Sequence, residues 1–196
     1  VRVRRVQIVY KQVGRALCGG KGEISGVALM SKTLRVPSPR TIFVGAEMDS
    51  FAVRRMVLTP VSKPGRSLIA TPPPLPADPK APVDLLPLVA LDRDAVWGQW
   101  TMDQGKLASP GGARAHRVQI PYELPEEYDL RVTFRRLGDS NSLHIGLSSA
   151  GNPFALLLEA GGPAKAISGI HLLDSRAGWE NETTGTRPIL PRGVPV

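Results

Sequence analysis

The chain is predicted to be all-β, a β-sandwich with jelly-roll-like topology. Three observations carry this expectation. Nineteen prolines and twenty glycines fall between short apolar runs along 196 residues, a composition that suits many strands and turns. Most of those runs alternate apolar with polar residues, the period of a half-buried strand. No long segment repeats apolar residues at three- and four-residue spacing without Pro, Gly or β-branched runs, so helix signals are poor.

The elements follow in order. Val1–Tyr10 alternates through Val1, Val3, Val6, Ile8 and Tyr10, with a change of phase at Arg4 and Arg5 that fits a bulge. Gly19, Gly20 and Gly22 imply turns, and Ile24–Met30 and Thr33–Val36 read as strands, the latter stopped by Pro37 and Pro39. Thr41–Ala46 and Phe51–Val61 are two more, joined by a turn at Asp49 and Ser50. In the second, Phe51, Val53, Met56, Leu58 and Val61 change phase once, around Arg54 and Arg55. A proline-rich seam, Thr71–Pro82, then reads as a semi-rigid spacer of polyproline character. Beyond it, strands are expected at Gly98–Met102, Lys106–Ser109, Arg114–Pro121, Tyr128–Arg135, Ser142–Ser148, Phe154–Glu159 and Ile167–Leu173, with Gly- and Asp-rich turns between them. Alternation places Tyr128, Leu130, Val132 and Phe134 inward and Asp129, Arg131 and Thr133 outward.

Charge is unevenly shared. Residues 1–70 carry thirteen Lys or Arg against three Asp or Glu, +10, and residues 71–196 carry twelve against fourteen, −2. The basic half reads as a solvated strand face, because its Lys and Arg alternate with Val, Ile and Leu and lack an aromatic stacking platform. No specific nucleic-acid partner and no membrane partner is expected. Cys18 is the single cysteine, which excludes an intrachain disulfide.

Chemical motifs are sparse. His116, His144 and His171 stand far apart, and only His171 with Asp174 approaches a ligand spacing. Asp139, Asn141 and Asp174 are the plausible calcium donors, without EF-hand spacing. Glu123, Glu126 and Glu127 cluster in a proline turn and read as a solvated loop rather than as paired acids. Neither a Gly-x-Ser-x-Gly nucleophile motif nor a phosphate loop occurs. No catalytic residue, metal site or cofactor is therefore expected. Of the tryptophans, Trp97 and Trp100 read as core and Trp179 as an exposed loop residue. Trp179, with Glu180 and Asn181 beside it, offers an apolar face and polar rim for a sugar. Asn181 also opens an Asn-x-Thr sequon with Thr183.

Four stretches carry a resemblance: Trp97–Trp100, Ser109–Gly112, Gln119–Phe134 and Asp139–Leu147, with a later Ser168–Asp174 strand. Together they resemble the concanavalin A-like, laminin G-like β-sandwich modules of multidomain bacterial proteins and the related 3-keto-disaccharide hydrolase family. Residues 33–68 resemble the end of such a module. The resemblance implies that the usual order is reversed here. Residues 1–68 would be the C-terminal half of a module, 69–83 a proline-rich linker, 84–182 the N-terminal half of a module, and 183–196 a proline-rich tail. Either two tandem modules are straddled or both halves build one permuted sandwich. Shared strands favour a single core, since separate halves would expose long edges.

Three functions stay open on the sequence. The first is a non-catalytic binding or interaction module of a larger protein, with a glycan or another protein as partner. The second, from the resemblance alone, is a 3-keto-glycoside hydrolase-like enzyme domain. The third is a basic surface for an anionic polymer. A bare face lined by Trp or Asn favours sugar; Asp, Glu and His clustered on one concave face favour the enzyme; a contiguous Arg stripe from residues 2–5 to 54–55 favours the polyanion.

Overall fold

The structure, a computed structural model, describes residues 5–12, 15–17, 40–47, 50–111, 115–138, 142–149, 152–160, 166–171, 176 and 178–186. In chain order its elements are β1 (Arg5–Gln12), β2 (Arg15–Leu17), β3 (Thr41–Glu47), β4 (Phe51–Pro60), β5 (Arg66–Ser67), β6 (Val83–Asp84), a 3-10 turn (Leu86–Leu88), α1 (Leu91–Asp94), β7 (Ala95–Trp97), β8 (Thr101–Asp103), β9 (Lys106–Ala108), β10 (Ala115–Glu123), β11 (Tyr128–Arg136), β12 (Leu143–Ser149), β13 (Asn152–Ala160) and β14 (Ile167–His171). The strands expected at Ile24–Met30 and Thr33–Val36 lie outside the described residues.

The strands form an all-β sandwich. Sheet 1 runs β2-β1-β11-β4-β9-β8, with β6 also on β4; sheet 2 runs β14-β13-β12-β3-β10-β5, with β7 also on β10. Every ladder is antiparallel except β1 with β11. The first segment is built into the middle of both sheets. β4 pairs along the length of β11, from Tyr128↔Pro60 to Arg136↔Phe51, and β3 lies between β10 and β12. The two sequence segments therefore share one core.

Alternation decides what faces that core. Tyr128, Leu130, Val132 and Phe134 are buried, Arg131 is exposed, and Asp129 and Thr133 are intermediate, as expected from their period. The phase change in β4 is a bulge. Thr133 pairs with Arg55 and Phe134 with Val53, so Arg54 is the extra residue, and Val53 and Met56 both reach the interior. Sheet 2 contributes Ile42, Val44, Val118, Ile120, Leu143, Ile145, Phe154 and Leu158 to the same cluster. The proline-rich seam passes from β5, paired with β10 in sheet 2, to β6, paired with β4 in sheet 1. It thus spans the two layers of one core.

Among the described residues, Tyr128 and Arg136, at opposite ends of β11, make polar side-chain contacts across the sheets. At its start, the Tyr128 hydroxyl donates to the Ser148 carbonyl at 2.9 Å, and burial pushes the phenol pKa up. At its end, the Arg136 guanidinium donates to the Glu159 carboxylate at 2.8 Å, with side chains only 4% and 1% exposed. Glu159 reaches inward because β13 bulges there. Its φ is 55°, and the β13–β14 register shifts between Leu157 and Ala160. Replacing Glu159 with Ala should cost about 3–5 kcal/mol, because a buried guanidinium loses its carboxylate. A paired R136M/E159M variant should recover most of that loss. Urea unfolding of the three proteins checks both values.

Candidate functional site

The outward face of sheet 2 collects the polar and aromatic groups that alternation excludes from the core. In β3, Ile42, Val44 and Ala46 join the interior cluster, so Phe43, Gly45 and Glu47 point to the other side. Arg117 and Gln119 of β10 pair with Gly45 and Phe43; His144 and Gly146 of β12 pair with the same two residues. Trp97 pairs with Arg117, Leu157 with His144, and Gly169 with Leu157. Paired residues share a face, so Trp97, Arg117, Gly45, His144, Leu157 and Gly169 form one row across six strands. At normal strand spacing that row is about 24 Å long.

An exposed tryptophan stands toward each end. Trp97 is 57% exposed and Trp179 is 51% exposed. Trp179 follows β14 in a loop, with its ring 5.7 Å from that of His171, itself paired with Ala155 on this face. The loop is tied down by its own polar groups. The Asn181 amide donates to the Ile170 carbonyl at 2.8 Å and its oxygen accepts from the Thr183 amide at 3.0 Å. Thr183 Oγ1 accepts from the Ile170 amide, and the Gly178 amide donates to His171 Nδ1.

Between the tryptophans the floor is partly apolar. Phe43 is 2% exposed and lies against Gly146, where a Cβ would stand 1.9 Å from its ring. The Arg117 guanidinium sits over the same ring, 4.9 Å from its centre. Burial pulls the Arg117 pKa below its ordinary value, and among the described residues no carboxylate pairs with it. Gln119 donates to Thr41 Oγ1 at 3.2 Å.

His144 is the most perturbed group of this face. Burial, with His171 and Arg117 adding like charge, lowers its pKa from 6.5 to about 4. The Glu47 carboxylate lies 3.7 Å from its Nε2, but with a side chain 47% exposed it is too well solvated to offset this. Ser142 Oγ and His144 Nε2 are hydrogen-bonded at 2.6 Å, in a direction set by the tautomer. His171 shifts the same way, for the same principal reason of burial.

The expected residues fall out unevenly. Trp179 and Glu180 are exposed at the loop tip, while Asn181 is 7% exposed and its amide is committed to the loop. Its position is that of a clasp beneath Trp179, and the sequon is closed off with it. Trp100 is core, at 8% exposure, but Trp97, expected beside it, faces out. His116 faces inward, its Nε2 3.1 Å from the Gly111 carbonyl. Asp139, Asn141 and Asp174 lie outside the described residues; among those described, no three His, Cys, Asp or Glu come together as metal ligands. Sequence reasoning left Glu47 and Arg117 out of the site, since only the β3–β10–β12 ladder brings them beside His144.

Two catalytic geometries can be compared with this face. A Ser–His–acid relay needs its serine and acid on different ring nitrogens. Here Ser142 and Glu47 both approach Nε2, and Ser142 is fully buried. Glycoside hydrolysis by two carboxylates needs them within about 5–9.5 Å. Glu123 pairs with Thr41, six residues and so about 20 Å along β3 from Glu47, and it is held by Arg66 and Arg40.

On the opposite side of the sandwich, Arg55, Val57, Thr59, Pro82, Asp129, Arg131 and Thr133 line a shallow groove of about 410 Å³. β11 separates β1 from β4 there, and Asp84 lies 3.9 Å from Arg55. Arg5 lies at Asp129 and Arg55 at Thr133, with the exposed Arg131 between those positions on β11; residues 2–4 of the expected stripe lie outside the described residues. Searches against family models, characterised proteins and solved structures give no match to the chain.

Two outcomes test this geometry. Gly146→Ala should destabilise the protein by about 1–3 kcal/mol, by forcing the Phe43 ring from its seat; thermal unfolding measures it. The depressed His144 pKa means that the unfolded chain binds a proton between pH 6.5 and about 4 that the folded chain refuses. Stability from this residue should therefore fall as pH drops through that window, by about 3 kcal/mol in all. The difference in urea stability between the protein and His144→Gln, followed from pH 7 to pH 4, isolates it.

Proposed function

We propose that this protein is a binding module for carbohydrate, taking its ligand along the outward face of sheet 2 between Trp97 and Trp179. One observation carries the reading: two half-exposed tryptophans stand on the same sheet face, about 20 Å or more apart along a row of paired strands. An indole face suits the C–H surface of a pyranose, and its apolar area is desolvated by stacking. Between the rings, Glu47, Arg117 and Gln119 are of the types that bind hydroxyl groups by charge-assisted or neutral hydrogen bonds. Glu180 adds a carboxylate beside Trp179. The kinship with concanavalin A-like and laminin G-like modules belongs to the same proposal, as does the assignment of residues 1–68 and 84–182 to the two halves of such modules.

A hydrolytic role is the second reading. The observation in its favour is the grouping of Glu47, His144 and His171 on the same face. Glu47, with an exposed carboxylate, is the residue of that group able to reach a ligand.

Glycan-array binding followed by calorimetry on the hits tests both. Trp97→Ala and Trp179→Ala should each weaken binding about tenfold, or 1.4 kcal/mol, with unfolding curves unchanged. Binding that both variants retain in full defeats the site. Release of reducing sugar that Glu47→Gln abolishes would favour the hydrolytic reading instead.

A further inference from the structure

The carbohydrate reading leaves the ligand's charge open, and Arg117 bears on it. The residue is half-buried on the outward face of sheet 2, directly across from Trp97 in the β7–β10 pair and from Gly45 in the β3–β10 pair. Its charge is held in place by the Phe43 ring below it. None of its N–H groups has an acceptor among the described residues; Arg54 and Arg131 share this but are exposed, whereas three other arginines are paired. Arg136 meets Glu159, Arg93 meets Asp94, and Arg66 meets Glu123. Gly45 leaves the space beside it without a side chain.

A half-buried guanidinium without a carboxylate is costly to keep, since it loses hydration and gains only a ring contact. Its fork of donors matches the paired oxygens of an oxyanion. Resting on the carbohydrate reading above, we propose that the ligand is an anionic glycan and that Arg117 binds its acidic group, a uronate carboxylate or a sulfate ester, beside the sugar stacked on Trp97. Glu47 opposes this only weakly. It lies on the neighbouring strand at a diagonal position to Arg117, farther from the acidic group than the contacting guanidinium, and solvent screens its half-exposed carboxylate. The neighbouring His144 is neutral above about pH 4, so of these two groups it is Arg117 that carries charge at neutral pH.

The test uses matched glycans that differ only in charge. One pair is oligogalacturonate and its carboxyl-reduced counterpart; the other is a sulfated oligosaccharide and its desulfated form. The whole protein should bind the charged member of one pair about tenfold more tightly than its neutral partner, and which pair does so identifies the acidic group. That preference should shrink as salt rises. Arg117→Gln should abolish the preference, weakening the charged member far more than its neutral partner, and Arg117→Lys should restore part of it. The salt dependence of the unaltered protein decides the matter if Arg117→Gln unfolds. Equal binding within both pairs overturns the anionic proposal and leaves the carbohydrate reading standing. Preference that survives in Arg117→Gln overturns the assignment to Arg117. Binding to none of the four, and to no glycan on the array, overturns both.

Discussion

The crossing of the chain between Glu47 and Phe51 is the constraint on which the rest of the structure depends. β3 ends in one sheet and β4 begins in the other, so two strands adjacent in sequence become the centres of opposite layers. The end of the sandwich where they cross is closed by polar groups from distant segments. The Ser50 carbonyl accepts from the Leu137 amide at 2.7 Å, the Glu47 amide donates to Ser142, and Ser109 and Phe51 exchange two hydrogen bonds. The Arg136–Glu159 pair spans the layers at the same end. Each contact satisfies backbone or side-chain groups at this end of the sandwich. An ion pair is weak as a source of stability but demanding in geometry. Here it ties the end of β11 in one sheet to the β13 bulge in the other.

The register of β3 decides what the outward face of sheet 2 contains. Because side chains alternate, a slip of one residue in β3 would send Phe43 and Glu47 into the core and Ile42 and Val44 to the surface. The buried run Thr41–Ala46 makes the strand nearly two-sided in its burial, so alternation alone identifies its inner face poorly. Its two neighbours settle it. Val118 and Ile120 on one side, and Leu143 and Ile145 on the other, carry the interior row across the sheet.

Much of this was legible in the sequence, and the parts that were not have physical reasons. β11 reads directly because it alternates without interruption, and the β4 bulge reads from two arginines that break the period between Val53 and Met56. Trp97 did not read as a surface residue. It ends a three-residue strand behind a one-turn helix, and only its pairing with Arg117 tells which way it faces. Glu47, Arg117, His144 and His171 come together through four ladders joining residues from 47 to 171, a separation that no spacing motif can encode. Asn181 misled in the opposite sense. A polar residue in a loop normally faces water, but Ile170 and Thr183 offered it both acceptor and donor partners, and so drew it beneath the loop.

The two outer faces of the sandwich differ in what their backbones permit. The face of sheet 1 carries a side chain at each outward position of β4 and β11 that lines its groove, with Asp129 among its arginines and Asp84 against Arg55. On sheet 2 the row is interrupted by glycines that let other groups come close. Gly146 seats Phe43, which in turn carries Arg117. Gly169 lies where a Cβ would be 3.0 Å from the Gly178 carbonyl and 3.1 Å from that of Thr183, so its absence lets the loop bearing Trp179 settle onto β14. The charge at the floor and the aromatic ring at the rim thus rest on the same device. A bulky residue at either glycine would displace Arg117 or Trp179 while leaving the inner face of the sheet unchanged, which is how a β-sandwich can vary its outer surface without rebuilding its core.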